Sequence, residues 1–126
     1  MLNNEAAAAE AVQISVVNSR TASVNGSWFD VRKYEGDLLF TQVVGLVSGT
    51  TPTLDGKIQD ADDSSGTNTA DITGATFTQV TATGAIQTVV IPASRVRGWL
   101  RYAGTIAGTT PNFAMTCTLH SRPKIV

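Results

Sequence analysis

Asp37-Leu-Leu-Phe-Thr-Gln-Val-Val-Gly-Leu-Val-Ser-Gly-Thr-Thr-Pro-Thr-Leu-Asp-Gly-Lys-Ile-Gln-Asp60 is the stretch on which the fold turns. One strand-like run, residues 38–46, enters Ser48-Gly49-Thr50-Thr51-Pro52, and a second, residues 53–60, leaves it. The layout returns near the C-terminus, where Gly108-Thr109-Thr110-Pro111 separates the alternating runs 100–106 and 112–119. Gly turns a chain at little steric cost, and Pro cannot donate to a sheet ladder. The spacing therefore predicts two similar hairpins within one β domain.

Working outward, 126 residues make one domain. Thr, Gly, Val and Ala dominate while Leu, Lys and Glu are scarce, a composition suited to pleated sheets. The formal charge of −1 offers no basic excess to hold nucleic acid. No apolar run approaches the ~18 residues of a membrane span, so neither nucleic acid nor membrane is an expected partner. The start lacks the basic residues of a signal peptide, and Glu5 and Glu10 interrupt its apolar part, so synthesis in the cytoplasm is expected. Only 15% of residues are charged, which points to a surface partly covered by a partner.

Residues 1–11 form an arm with helical character, Asn3 or Asn4 capping the Ala-rich run. The sheet domain spans 12–120, and a basic tail fills 121–126. Strands are expected at 12–17, 28–33, 38–46, 53–60, 72–81, 86–91, 100–106 and 112–119, with a turn at 34–37 and an exposed loop at 61–69. That is about eight antiparallel strands, an all-β sandwich or jelly roll. The cleanest alternation places Phe113, Met115, Cys117 and Leu119 inward, making Cys117 a small buried hydrophobe.

The sequence carries no catalytic signature, and a non-enzymatic protein is expected. His120 is the sole histidine, and no Gly-x-Ser-x-Gly elbow presents a nucleophile. One cysteine excludes an internal disulfide and a Cys-based zinc site. Asp60-Ala-Asp62-Asp63-Ser64-Ser65-Gly66, with Asp71 beyond, begins like a calcium loop. The sixth position is Ser65 instead of Gly, the last ligand is Asp instead of Glu, and no helices flank it, so a solvated turn is the better reading. No cofactor or metal is expected. Arg95, Arg97 and Arg101 form a local basic group, read either as a charged sheet edge or as a docking patch.

Four phrases carry a resemblance: Asn25-Gly-Ser-Trp-Phe-Asp-Val-Arg-Lys-Tyr-Glu-Gly36, Gly49-Thr-Thr-Pro-Thr-Leu-Asp-Gly-Lys-Ile-Gln-Asp60, Ile72-Thr-Gly-Ala-Thr-Phe-Thr-Gln-Val80 and Val96-Arg-Gly-Trp-Leu-Arg-Tyr-Ala-Gly-Thr-Ile-Ala-Gly-Thr-Thr-Pro111. Together they resemble the head decoration, or cement, proteins of tailed bacteriophages. The resemblance covers about residues 14–119. It implies a small β-sandwich or jelly-roll virion protein that sits on the capsid surface as a homotrimer, with the major capsid protein as its partner. It supplies no catalytic residue. The candidate contacts to capsid or neighbouring copies are Leu2, Glu5, Trp28, Arg95, Arg97, Arg122 and Lys124. The alternative is a carbohydrate-binding jelly-roll module of a fibre or tail, for which Trp28, Trp99, Tyr34 and Tyr102 are the available aromatics.

Overall fold

The computed structural model describes residues 10–123, and in it neither Gly-Thr-Thr-Pro ends a strand. Seven strands follow one another: β1 (Glu10–Arg20), β2 (Val24–Asn25), β3 (Phe29–Asp30), β4 (Tyr34–Ala61), β5 (Ala70–Thr76), β6 (Ala85–Pro92) and β7 (Trp99–Pro123). A 3-10 turn occupies Ala93–Arg95, and no α-helix occurs among the described residues. The two expected hairpins are corrected. β4 and β7 each run through their Gly-Thr-Thr-Pro and pair with one another, antiparallel, from Tyr34 opposite Pro123 to Ala61 opposite Trp99.

The two repeats meet midway along this ribbon, with Thr50 opposite Thr109. Their contacts are twinned. A Cβ on Gly49 would stand 2.7 Å from the Thr110 carbonyl oxygen, and one on Gly108 would stand 2.7 Å from that of Thr51. Only glycine permits this approach at both places. Thr51 and Thr110 both sit at φ 47°, a left-handed conformation that β-branched residues rarely adopt. Each threonine hydroxyl donates to the preceding carbonyl at 2.8 Å. Register shifts gather at this level of the ribbon, and bulges bend strands. Gly and Pro thus bend both strands together instead of reversing each alone.

The bend folds one sheet into two facing layers. In the first, the order is β1, second arm of β7, first arm of β4, β6. In the second, the first arm of β7 and the second arm of β4 carry β2 and β3 on one side and β5 on the other. The result is an all-β, antiparallel, jelly-roll-like sandwich, as the composition predicts. Leu38, Phe40, Gln42 and Val44 point inward from one layer, and Leu54, Ile58, Leu100 and Tyr102 from the other. Phe113, Met115, Cys117 and Leu119 are buried as the alternation requires. Burial pushes the Cys117 thiol up to about 12, because the thiolate is poorly solvated there. Across the midplane the Tyr102 hydroxyl donates to Gln42 Oε1 at 2.6 Å.

Several boundaries move. β1 begins at Glu10, so Glu10 and Ala11 belong to the sheet instead of a helical arm. β7 continues to Pro123, taking in part of the expected tail. The turn expected at 34–37 is the start of β4, and the strand expected at 28–33 shortens to Phe29–Asp30. Residues 1–9 and 124–126 lie outside the described residues.

Candidate functional site

Charge is unevenly placed on this scaffold. Residues 38–54, 72–94 and 102–119 contain no Asp, Glu, Lys or Arg. These runs supply β6, nearly all of the first arm of β4 and most of the second arm of β7. They pair in register, so their outward side chains line up in rows. Val90, Leu39 and His120 form one row; Thr88, Thr41 and Thr118 the next; Ile86, Val43 and Thr116 the third. His120 is the single ionisable side chain in these rows. Ile86 is 74% exposed and Val90 54%, and Leu46, beyond the rows, is 70% exposed.

β6 borders this face. It pairs with residues 37–44 without a register shift, carries no charge, and has its proline only at the last position. Sheet edges are ordinarily blunted by charges, bulges or internal prolines. Here the sandwich closes locally instead: the Gln87 side chain accepts from the Thr78 N–H at 2.6 Å and donates to the Thr78 carbonyl at 2.9 Å.

The charged residues concentrate at the end of the sandwich away from the bend, where Arg32 pairs with Asp30, Lys57 with Asp71, and Arg97 with Asp60 and Asp62. Arg97 reaches Asp60 Oδ1 at 2.9 Å, Asp62 Oδ1 at 3.2 Å and the Asn68 carbonyl at 2.5 Å. It thereby ties loop 62–69 to the segment after the 3-10 turn. Asp60 is nearly buried beneath it. Asp63 accepts from the Thr67 hydroxyl and the Ser65 and Thr67 N–H groups, which hold its carboxyl below the usual range. Asp71 is lowered likewise by Gln59 and then Lys57. The carboxylates considered for calcium thus each have their own partners, and among the described residues no three metal-ligating side chains converge. Arg32 bonds hold Asp30 down to about 2.

The sequence-derived candidates distribute as follows. Arg97 and Arg95 lie at this charged end, Arg95 exposed beside a hollow shared with Asp60 and Asp71. Arg122 pairs in register with Glu35. Trp28 is half-buried, with the Arg101 guanidinium 4.6 Å above its ring and Gly66 against its indole edge. Leu2, Glu5 and Lys124 lie outside the described residues. Of the aromatics available to a sugar, Tyr34 and Tyr102 are buried, and Trp99 is half-buried with Arg32 5.4 Å from its ring centre. None of the described candidates is on the uncharged face. Leu39, Val43, Ile86 and Val90 were not singled out, although the signal was present: residues 72–94 run without one charge.

No protein-family model matches the chain, and no curated protein matches it in sequence. Solved structures match in fold. The VP2 subviral particle of infectious bursal disease virus aligns over 89% of this chain with a TM-score of 0.56 and 10% identity. The VP2 structure of the Gx strain gives the same score at 12% identity. The chain spans about a third (31%) of the length of these viral proteins. The family 22 carbohydrate-binding module of Clostridium thermocellum Xyn10B aligns over 94% of this chain and 83% of its own, at 20% identity and a TM-score of 0.46. At these identities the likeness to the viral proteins is one of fold.

Proposed function

We propose that this chain is a non-enzymatic structural virion protein that binds the outside of a bacteriophage capsid and stabilises it, as a decoration or cement protein. The observation that carries the reading is the uncharged outer face around Ile86 and Val90. An exposed apolar and threonine surface bordered by an edge strand that carries no charge fits a broad, largely dry protein contact. The runs that build the uncharged face carry no Asp, Glu, Lys or Arg, so desolvating it strips no such ion of its water. The resemblance to phage cement proteins and a fold shared with viral coat domains support the same reading. The partners are then the major capsid protein and further copies of the chain, arranged as a trimer. Binding only the assembled shell stabilises it by mass action, about 2.7 kcal/mol per site at a hundredfold excess over Kd.

The carbohydrate-binding alternative has less support, because two of its four aromatics are core residues and the other two already carry a guanidinium. The test is co-sedimentation with heads purified from a phage lacking this gene. The wild type should pellet saturably, while Ile86→Lys and Val90→Lys should lose at least tenfold in affinity with their thermal stability unchanged. Wild-type protein left in the supernatant, or variants that pellet equally well, would overturn the reading.

A further inference from the structure

The edge of the sandwich opposite β6 holds an arginine of a different kind. Arg20 ends β1 and lies opposite Phe113, a core residue, so its side chain starts toward the space between the layers. There it lines a cleft of about 330 Å³ together with Gln13, Ile14, Val24, Asn25 and Ser27. Its Nε is buried and has no hydrogen-bond partner among the described residues. Arg32 and Arg97 each hold an aspartate, and Arg101 holds Gln59 and lies over Trp28. Among the described residues no carboxylate lines the Arg20 cleft.

A guanidinium presents a planar fork of donors that matches a carboxylate. A buried cationic donor without an acceptor is costly, and a bound oxyanion removes that cost. The neighbouring groups suit a carboxylate as well, since Gln13, Asn25 and Ser27 bring amide and hydroxyl donors. The walls are also informative. β1 is the edge strand of its layer, and β2 lies at the edge of the other. Strand edges carry backbone donors and acceptors that an extended polypeptide can meet. Ile14 and Val24 add apolar contact beside the charge.

We propose that this cleft binds an acidic side chain, Glu or Asp, carried on an extended segment of another polypeptide. The site is distinct from the uncharged face, which lies on the outer side of β6, β4 and β7. The carboxylate seats against Arg20 while the flanking backbone runs across the mouth of the cleft, over Gln13 and Asn25.

The test is an NMR titration of the 15N-labelled full chain, following the Arg20 Nε–H signal and the backbone amides of residues 13 and 24–27. The probes are the blocked pentapeptide Ala-Ala-Glu-Ala-Ala, its Gln counterpart, and sodium glucuronate. The Glu peptide should give saturable shifts confined to the cleft. The Gln peptide and glucuronate should bind at least tenfold more weakly. Arg20→Lys, which keeps the charge but lacks the fork, should weaken the Glu peptide about tenfold with the remaining spectrum unchanged. Absence of saturable shifts, or equal shifts from the Gln peptide, would overturn the site. Equal binding of glucuronate would overturn the polypeptide ligand in favour of a free sugar acid. Arg20→Gln assigns the Nε–H signal by its loss.

Discussion

Gly56→Ala tests whether the two layers meet as described. Gly56 is buried opposite Gly104 and faces the other layer's Gln42. A Cβ on it would stand 2.2 Å from Gln42 Oε1 and 2.4 Å from the Tyr102 hydroxyl. Ordinary carbon–oxygen contacts begin near ~3.3 Å, so each oxygen must retreat by about 1 Å. The two oxygens are hydrogen-bonded to each other at 2.6 Å, and Met115 Sδ lies 4.0 Å behind the hydroxyl. Overpacking costs about 1–3 kcal/mol. Opening the buried bond adds about 1–3 kcal/mol. The expected loss is therefore about 4 kcal/mol, a large share of the roughly 5–15 kcal/mol that holds a domain together. The melting temperature should fall by about 15 °C. Urea unfolding measures the loss directly, and a cycle with Gln42→Ala identifies its cause. Deleting the Gln42 amide removes the nearest obstacle, so the second mutation should cost at least about 1 kcal/mol less in that background. A loss below about 1 kcal/mol for Gly56→Ala alone, or additivity within about 0.5 kcal/mol, would refute the packing argument.

The same contact predicts a rescue. Gln42 Nε2 is buried without a partner, so Gln42→Met with Tyr102→Phe should cost less than Tyr102→Phe alone, by about 1 kcal/mol in urea melts. Thr51→Asn and Thr110→Asn should each stabilise by about 0.5–1 kcal/mol, because Asn tolerates the left-handed backbone better. The twinned geometry requires the two gains to agree closely. Cys117 titrates at 9.0 when unperturbed and about 12 when folded. Its pKa is raised in the folded state, so its contribution is complete below pH 9 and is lost as pH rises toward 12. Stability should fall by about 1.4 kcal/mol per pH unit more steeply there than in Cys117→Ala, and Ellman's reagent should leave the native thiol untouched at pH 8.

The fold was legible in the sequence where side-chain period decides it. Phe113, Met115, Cys117 and Leu119 are inward because every second residue of a strand shares a face, and no distant partner can alter that. Leu54 and Ile58 follow the same rule. The reading failed where a local signal has two outcomes. Gly-Thr-Thr-Pro holds everything a turn needs, but Gly49 packs against the Thr110 carbonyl and Gly108 against that of Thr51 across the ribbon, and that proximity makes each a bend. The repeated motif was visible; that its copies pair was not, because pairing across so long a separation leaves no local trace. Glu10 and Ala11 were assigned to the arm on the helix-forming character of the run they end, and sheet pairing with His120 and Ser121 overrode it.

The candidate site was missed for a related reason. Sequence reasoning searched for chemistry and so collected charged and aromatic residues, including Trp28, Arg95 and Arg97. The structure holds Arg97 in an ion pair and Trp28 beneath Arg101, so both have intramolecular work. Apolar residues are the ordinary material of a core, and Val90 and Ile86 read as such. What distinguishes them is register. Leu38, Phe40, Gln42 and Val44 already fill the inward side of β4, which leaves Leu39, Thr41 and Val43 outward beside Ile86, Thr88 and Val90. Alternation thus forces one side of this hydrophobic ladder to face solvent. A surface so built disfavours ions from either partner and offers threonine hydroxyls and aliphatic groups. Its binding should therefore vary little between low and moderate salt, whereas a docking patch of arginines would weaken steeply. The salt dependence of head binding separates the uncharged face from the basic group that the sequence offered as a docking patch.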